Sequence, residues 1–264
     1  VLGETALSKL LDEQKDGSDS ELKPYSVKYS YPVLLDNNLL PALIIEDFWF
    51  LDESGDGSTI SNSLALEGSK KNACIVSPVG AGKTTALAAL IMSLYLANTG
   101  IVNAKKMRYT YFSSIMDYIK IEYTTGGGLS GHLSESKVLR IIEKIIKKNI
   151  NIGERVIIFL DEVYSRTRAN DSLMLAKRDL NNFLGNDNVM CIFTTHHPEL
   201  TRIANYRNFN LGIYYMEVLY DPLGKTFNRT FKILPHSVDK NWWIKDENQD
   251  LRLMYYDYID KTVI

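Results

Sequence analysis

The stretch Ile75–Leu90, IVSPVGAGKTTALAAL, constrains this chain more than any other part of it. It joins an apolar run, Ala73–Val76, to a glycine loop, and the loop to the segment Lys83–Ala97. In that segment Leu87, Leu90, Ile91, Leu94 and Leu96 provide an apolar face at helical spacing, so the pattern predicts strand, tight turn and helix. Such a junction aims several backbone N–H groups at one point, and the helix N-terminus adds partial positive charge there. A phosphate group suits that arrangement. Gly80 and Gly82 let the backbone wrap closely, Lys83 can reach β- and γ-phosphates, and the Thr84 hydroxyl can ligate Mg²⁺. The candidate nucleotide site is therefore Ser77, Pro78, Val79, Gly80, Ala81, Gly82, Lys83, Thr84 and Thr85. One residue departs from the pattern G-x-x-x-x-G-K-[ST]: Ser77 stands where the first glycine is usual. Serine is small and tolerates many turn conformations, so the loop is expected to bind ATP.

An ATP-hydrolysing site needs an acidic group at the end of a neighbouring strand. Arg155–Leu160 (RVIIFL) is a continuous, β-branched apolar run, which reads as a central buried strand. It ends in Asp161-Glu162. Asp161 would hold Mg²⁺ through water, and Glu162 would act as general base on the attacking water. Val189–Thr194 reads as a further buried strand and runs into Thr195-His196-His197. His196, on the same sheet edge as Asp161, is read as a sensor of the γ-phosphate, whereas His197 is read as structural.

Helices are expected over Ser136–Lys148 and Asp171–Leu184, the first with Val138, Leu139, Ile142, Ile145 and Ile146 on its apolar face. Residues 209–234 read as an antiparallel pair turning at Asp221–Gly224. Short strands are expected over 25–52 and a helix over 246–260. Strand–helix alternation from residue 60 onward indicates an α/β fold. Residues 1–24 read as a linker or the end of a preceding domain, and 25–264 as a single domain. A chain that opens on Val1 rather than Met is expected to be a fragment of a longer protein.

Composition narrows the function classes. A net charge of −2 gives no global attraction to nucleic acid or to an acidic membrane, so polyanion binding needs a local patch or another domain. Cys74 and Cys191 both lie inside apolar runs and read as buried thiols, not as a disulfide. No apolar stretch approaches the roughly 20 residues that span a bilayer.

These pieces together resemble the ATPase domain of the MutS family of DNA mismatch-recognition proteins, a branch of the ABC-type ATPase superfamily. The resemblance covers roughly residues 60–237. It is strongest in FLDEVYSRTRANDSLMLA (159–176), where Asp161, Glu162, Thr167, Asp171, Leu175 and Ala176 match the family's segment. FTTHHPELT (193–201), the strand pair over 214–241 and ISNSLAL (60–66) add to it. The chain also departs from the family: Ser77, Val79 and Thr84 replace Gly, Asn and Ser, and Tyr164-Ser165-Arg166 replaces Gly-Arg-Gly.

The resemblance implies a P-loop NTPase of ABC type, with a mainly parallel central sheet flanked by helices and an antiparallel β subdomain. It implies ATP and Mg²⁺ as ligands, Lys83, Glu162 and His196 as catalytic residues, and Thr84 and Asp161 as metal ligands. It implies a homodimer, or a MutS-like heterodimer, paired head to tail through the ATP site. In GGGLSGHLSE (126–135), Ser130 would then reach the γ-phosphate of the opposite subunit in trans. DNA would be contacted by domains outside this chain, in the cytoplasm or, in a eukaryote, the nucleus. Two alternatives stay open: an ATP-gated interaction module with slow or absent hydrolysis, and another ABC-type ATPase of DNA repair, defence or a membrane-tethered protein. Trp242 and Trp243 are expected to pack into the domain's own core.

Overall fold

The most apolar runs of the chain lie side by side. The computed structural model describes residues 29–36, 40–49, 60–118, 131–150, 154–164, 169–205, 209–236, 243 and 249–262. Among them the chain order begins β1 (Val33–Leu34), β2 (Leu43–Phe48), β3 (Asn62–Leu66), β4 (Asn72–Val76), α1 (Lys83–Ala97), β5 (Lys106–Tyr109) and β6 (Ser114–Tyr118). It continues with α2 (Gly131–Ile150), β7 (Val156–Leu160), α3 (Ala169–Leu184), β8 (Val189–Thr195), β9 (Leu211–Asp221), β10 (Thr226–Pro235) and α4 (Gln249–Thr262).

The main sheet has six strands in the order β10-β9-β4-β8-β7-β6. All its pairings are parallel except that of β10 with β9. Every residue of β4, β7 and β8 is buried, as continuous apolar runs in the middle of a parallel sheet require. A second sheet, β1-β5-β2-β3, has β2 antiparallel to both β3 and β5; its short strand β1 pairs parallel with β5. Mainly parallel sheet, flanking helices and antiparallel β subdomain thus agree with the expected P-loop NTPase architecture.

Register decides where the chemistry gathers. Val76 lies opposite Thr195, and Leu160 opposite Phe193. The C-terminal ends of β4, β7 and β8 therefore share one edge, and the residues that leave these strands there meet. Helix α1 carries buried residues almost all round, including Ala86, Leu87, Leu90, Ile91 and Leu94, and such a helix belongs in a core. In α2, Leu139, Ile142 and Ile146 are buried, but Ile145 is exposed. The buried stripe runs i, i+3, i+7, and Ile145 falls at its margin; the side chain of Val138 lies outside the described residues.

Helix α4 closes over β10. Tyr255 is fully buried, with its ring 5.2 Å from Phe227 and 5.9 Å from Trp243. Trp243 packs into the chain's own core; Trp242 lies outside the described residues. Cys74 and Cys191 are free and buried. Burial pushes the Cys191 thiol up to about 12 and raises Cys74 as well, so both behave as small apolar side chains. Among the described residues no helix is long and apolar enough to cross a membrane.

Candidate functional site

Ser77 leaves β4 at the C-terminal edge. Its N–H donates to the Thr195 carbonyl at 3.2 Å, which extends the β4–β8 pairing by one residue. The left-handed residues of the loop are Gly80 (φ 76°) and Gly82 (φ 91°), and Ser77 is not among them. Glycine is needed where φ is positive; at position 77 the backbone makes no such demand. That is why serine fits there. Gly82 then starts α1 without a capping side chain, and the first turn of α1 holds no acidic residue. Its N–H groups and partial positive charge are left to an anion.

Lys83 is buried, and its Nζ donates to the carbonyls of Ser77 at 3.2 Å and Pro78 at 2.9 Å. Burial lowers its pKa to about 8, against the opposing pull of Glu162 and Asp161. The ammonium is thus held by the carbonyls of the loop itself, near two carboxylates.

Asp161 is the centre of a tight network. It accepts from the Thr84 hydroxyl at 2.6 Å through Oδ2 and from the Thr194 hydroxyl at 2.5 Å through Oδ1. The Thr194 hydroxyl also accepts from the Glu162 N–H at 2.8 Å. The turn after β7 is therefore stitched to the end of β8: Val163 N–H donates to the Thr194 carbonyl, and Thr195 Oγ1 to the Val163 carbonyl. Two residues of that turn are left-handed, Glu162 at φ 51° and Tyr164 at φ 61°. Side chains with a Cβ tolerate this at a cost of roughly 1–2 kcal/mol each. Tyr164 occupies the position where the MutS pattern has its first glycine after the acidic pair, and its φ supplies the physical reason for a glycine there.

His196 follows β8 directly and is half-buried, with its ring 4.9 Å from that of His197. His197 holds the turn: its Nε2 lies 2.9 Å from the Tyr164 carbonyl. The structure therefore brings Ser77, Lys83, Thr84, Asp161, Glu162 and His196 to one sheet edge. Thr85 is exposed on the first turn of α1 and Val79 at the apex of the loop. Ser130 lies outside the described residues, as do Thr167 and the rest of the glycine-rich stretch 126–130. Thr194 is the site residue that sequence reasoning missed. The available signal was the Thr194-Thr195 pair at the end of a strand one place from Asp161's own.

Comparison with known proteins bears on this edge. Residues 73–214 match the family model described as ATPase family associated with various cellular activities (AAA). The chain is similar to the DNA mismatch repair protein MutS of Syntrophomonas wolfei subsp. wolfei, 26% identical over 187 residues, which cover 69% of this chain and 20% of that protein. It is similar to the MutS of Clostridium beijerinckii, 26% identical over 167 residues, covering 60% of this chain and 17% of that one. It is also similar to the DNA mismatch repair protein Msh3 of Dictyostelium discoideum, 27% identical over 173 residues, covering 63% and 12%. The chain thus matches a fifth or less of the length of these curated relatives.

Proposed function

We infer, from the premise that this chain belongs to the ATPase family associated with various cellular activities (AAA), that it binds ATP with Mg²⁺ at residues 77–85 and hydrolyses it in a MutS-like cycle. The observation that carries the reading is the 2.6 Å contact between the Thr84 hydroxyl and Asp161. It joins the loop that would hold phosphate to the strand end that would hold a cation. Among the described residues no group of three or more His, Cys, Asp or Glu side chains gathers. A cation at Thr84 would therefore take that hydroxyl, be held to Asp161 through water, and otherwise take water and phosphate oxygens, which is the habit of Mg²⁺. Bound there, it would neutralise charge on the β- and γ-phosphates.

The chain's own residues have distinct tasks. Backbone N–H groups of the loop bind phosphate oxygens, and Lys83 exchanges the Ser77 and Pro78 carbonyls for the β- and γ-phosphates. Glu162 takes a proton from water as the water oxygen bonds to the γ-phosphorus and the bond to the β–γ bridging oxygen breaks. ADP and phosphate leave. His196 senses the γ-phosphate, and Ser130 of a second subunit closes the site in trans. Two subunits pair head to tail on ATP and drive conformational change in attached domains that act on DNA, in line with the mismatch-repair names of the relatives.

Phosphate release and particle size, measured with and without ATP, test this. Glu162→Gln is expected to lower kcat about 10²- to 10⁴-fold while keeping ATP-dependent pairing. Undiminished turnover in that variant would remove Glu162 as the base. ATP-dependent pairing of the wild type without phosphate release would instead make the chain an ATP-gated interaction module.

A further inference from the structure

We propose that Tyr255 of α4 and Arg229 of β10 are positioning residues that clamp the phosphate loop from outside and hold its N–H donors inward for nucleotide. The proposal rests on the reading of residues 77–85 as the ATP site. Val79 and Gly80 are consecutive at the apex of that loop. The Tyr255 hydroxyl donates to the Val79 carbonyl at 2.8 Å, and Arg229 Nη1 donates to the Gly80 carbonyl at 3.4 Å. In a planar trans peptide the C=O of one residue and the N–H of the next point opposite ways. Two carbonyls held outward therefore turn the N–H groups of Gly80 and Ala81 toward the concave side, where an anion would sit.

The clamp is built, not incidental. The Tyr255 ring is fully buried against Phe227 and Trp243, so its hydroxyl has one place to point. The pairing of β10 with β9 breaks register between Arg229 and Ile233, and Phe231 within the break has φ 57°. Such a bulge re-aims side chains. Here Arg229 comes within 3.2 Å of where a Cβ on Gly80 would stand, and Phe231 within 2.7 Å of one on Gly82. Asn62 fixes the bulge from β3: its Nδ2 donates to the Phe231 carbonyl and its Oδ1 accepts from the Ile233 N–H.

The clamp also answers a competition inside the loop. Lys83 already draws on the carbonyls of Ser77 and Pro78, and further loop carbonyls turned inward would solvate the same buried ammonium and close the cradle. Tyr255 and Arg229 deny it the next two. Both residues lie beyond the 73–214 family match, so membership of the family does not supply them.

Tyr255→Phe removes the donor and keeps the buried ring. Affinity for a fluorescent ATP analogue, steady-state KM and kcat, and the melting temperature are measured on wild type, Tyr255→Phe and Arg229→Gln. Tyr255→Phe is expected to raise Kd and KM about three- to tenfold, as the loss of one hydrogen bond allows, with a smaller change in kcat and a melting temperature lower by no more than about 4 °C. Arg229→Gln, at a half-exposed position, is expected to raise both about two- to threefold, and Arg229→Lys to recover part of the loss. A merely structural role would lower the melting temperature and leave Kd where it was. Wild-type Kd in folded Tyr255→Phe overturns the clamp alone. Should Tyr255→Phe fail to fold, wild-type Kd in Arg229→Gln does the same. A wild-type protein that binds no nucleotide overturns both the clamp and the ATPase reading beneath it.

Discussion

Two buried lysines stand at opposite ends of one strand. Lys71 directly precedes β4, and Lys83 follows it across the phosphate loop; burial lowers the pKa of each to about 8. By these measures they are twins. Their partners separate them. Lys71 Nζ donates to the Asn186 carbonyl and lies 4.0 Å from Asp187, between elements that fold together. Lys83 Nζ donates to two carbonyls of the turn it belongs to, and phosphate oxygens could replace them. A displaced pKa therefore does not mark a functional lysine by itself; what the ammonium faces, and whether it can be exchanged, does. The two sheet edges differ in the same way. Beside Lys71, Asn72 uses its whole side chain internally: Nδ2 donates to the Leu184 and Phe209 carbonyls, and Oδ1 accepts from the Cys191 N–H. At the other edge, Glu162 and Tyr164 hold left-handed backbone, and a hydroxyl and a carboxylate from different strands meet at the mouth of a helix N-terminus.

The sharpest way to break this contrast is to replace each lysine by methionine. Lys83→Met is expected to lower kcat/KM by at least about 10²-fold, since it removes a preorganised charge aimed at the transferring phosphate; Lys71→Met should leave kcat/KM within about twofold. Phosphate-release assays read both, and a comparable loss in Lys71→Met would end the distinction. Next in size, Asn72→Ala removes the side-chain partner of one buried N–H, that of Cys191, and of two carbonyls, those of Leu184 and Phe209, and is expected to cost about 3 kcal/mol of stability. Denaturant unfolding measures it, while kcat of the folded fraction should stay at the wild-type value. The smallest effect is in pH. Free Lys83 loses its proton as pH rises through about 8, and bound polyphosphate favours the charged form. Binding above pH 8 therefore takes up a proton, and ATP affinity should fall toward tenfold per pH unit there, with no such fall below pH 8. Calorimetry in buffers of different ionisation enthalpy detects the uptake; Lys83→Met should abolish it.

Much of this edge was readable from the chain. Lys83–Ala97 is the observed helix α1 to the residue, because its apolar face and its glycine start agree. The runs expected as strands over Arg155–Leu160 and Val189–Thr194 are the strands Val156–Leu160 and Val189–Thr195, because short β-branched runs suit a sheet buried on both faces. The helix expected from Ser136 begins at Gly131 instead, since apolar periodicity marks a packed face and does not fix where a helix starts. Ile145 lies at the margin of the stripe Leu139, Ile142 and Ile146, where helical spacing alone does not separate a packed side chain from an exposed one. Asn72, Tyr255 and Arg229 were not readable. Each acts on a partner far along the chain, Tyr255 on Val79 across 176 positions, and no local pattern encodes such a pairing.

Ser77 shows where the boundary runs. The residues alone determined that a strand, a glycine turn and a helix would follow one another, that Lys83 and Thr84 would start that helix, and that an acidic pair would end a second buried strand, because short-range sterics and hydrophobic period settle those matters. Whether serine could replace glycine depended on the sign of one backbone angle. The meeting of Thr84 with Asp161 depended on which strands became neighbours and in what register, and the outward turn of the loop's carbonyls depended on a helix packed from the far end of the chain. Those are properties of the assembled sheet and core, since contacts between distant residues form only when the whole chain has folded.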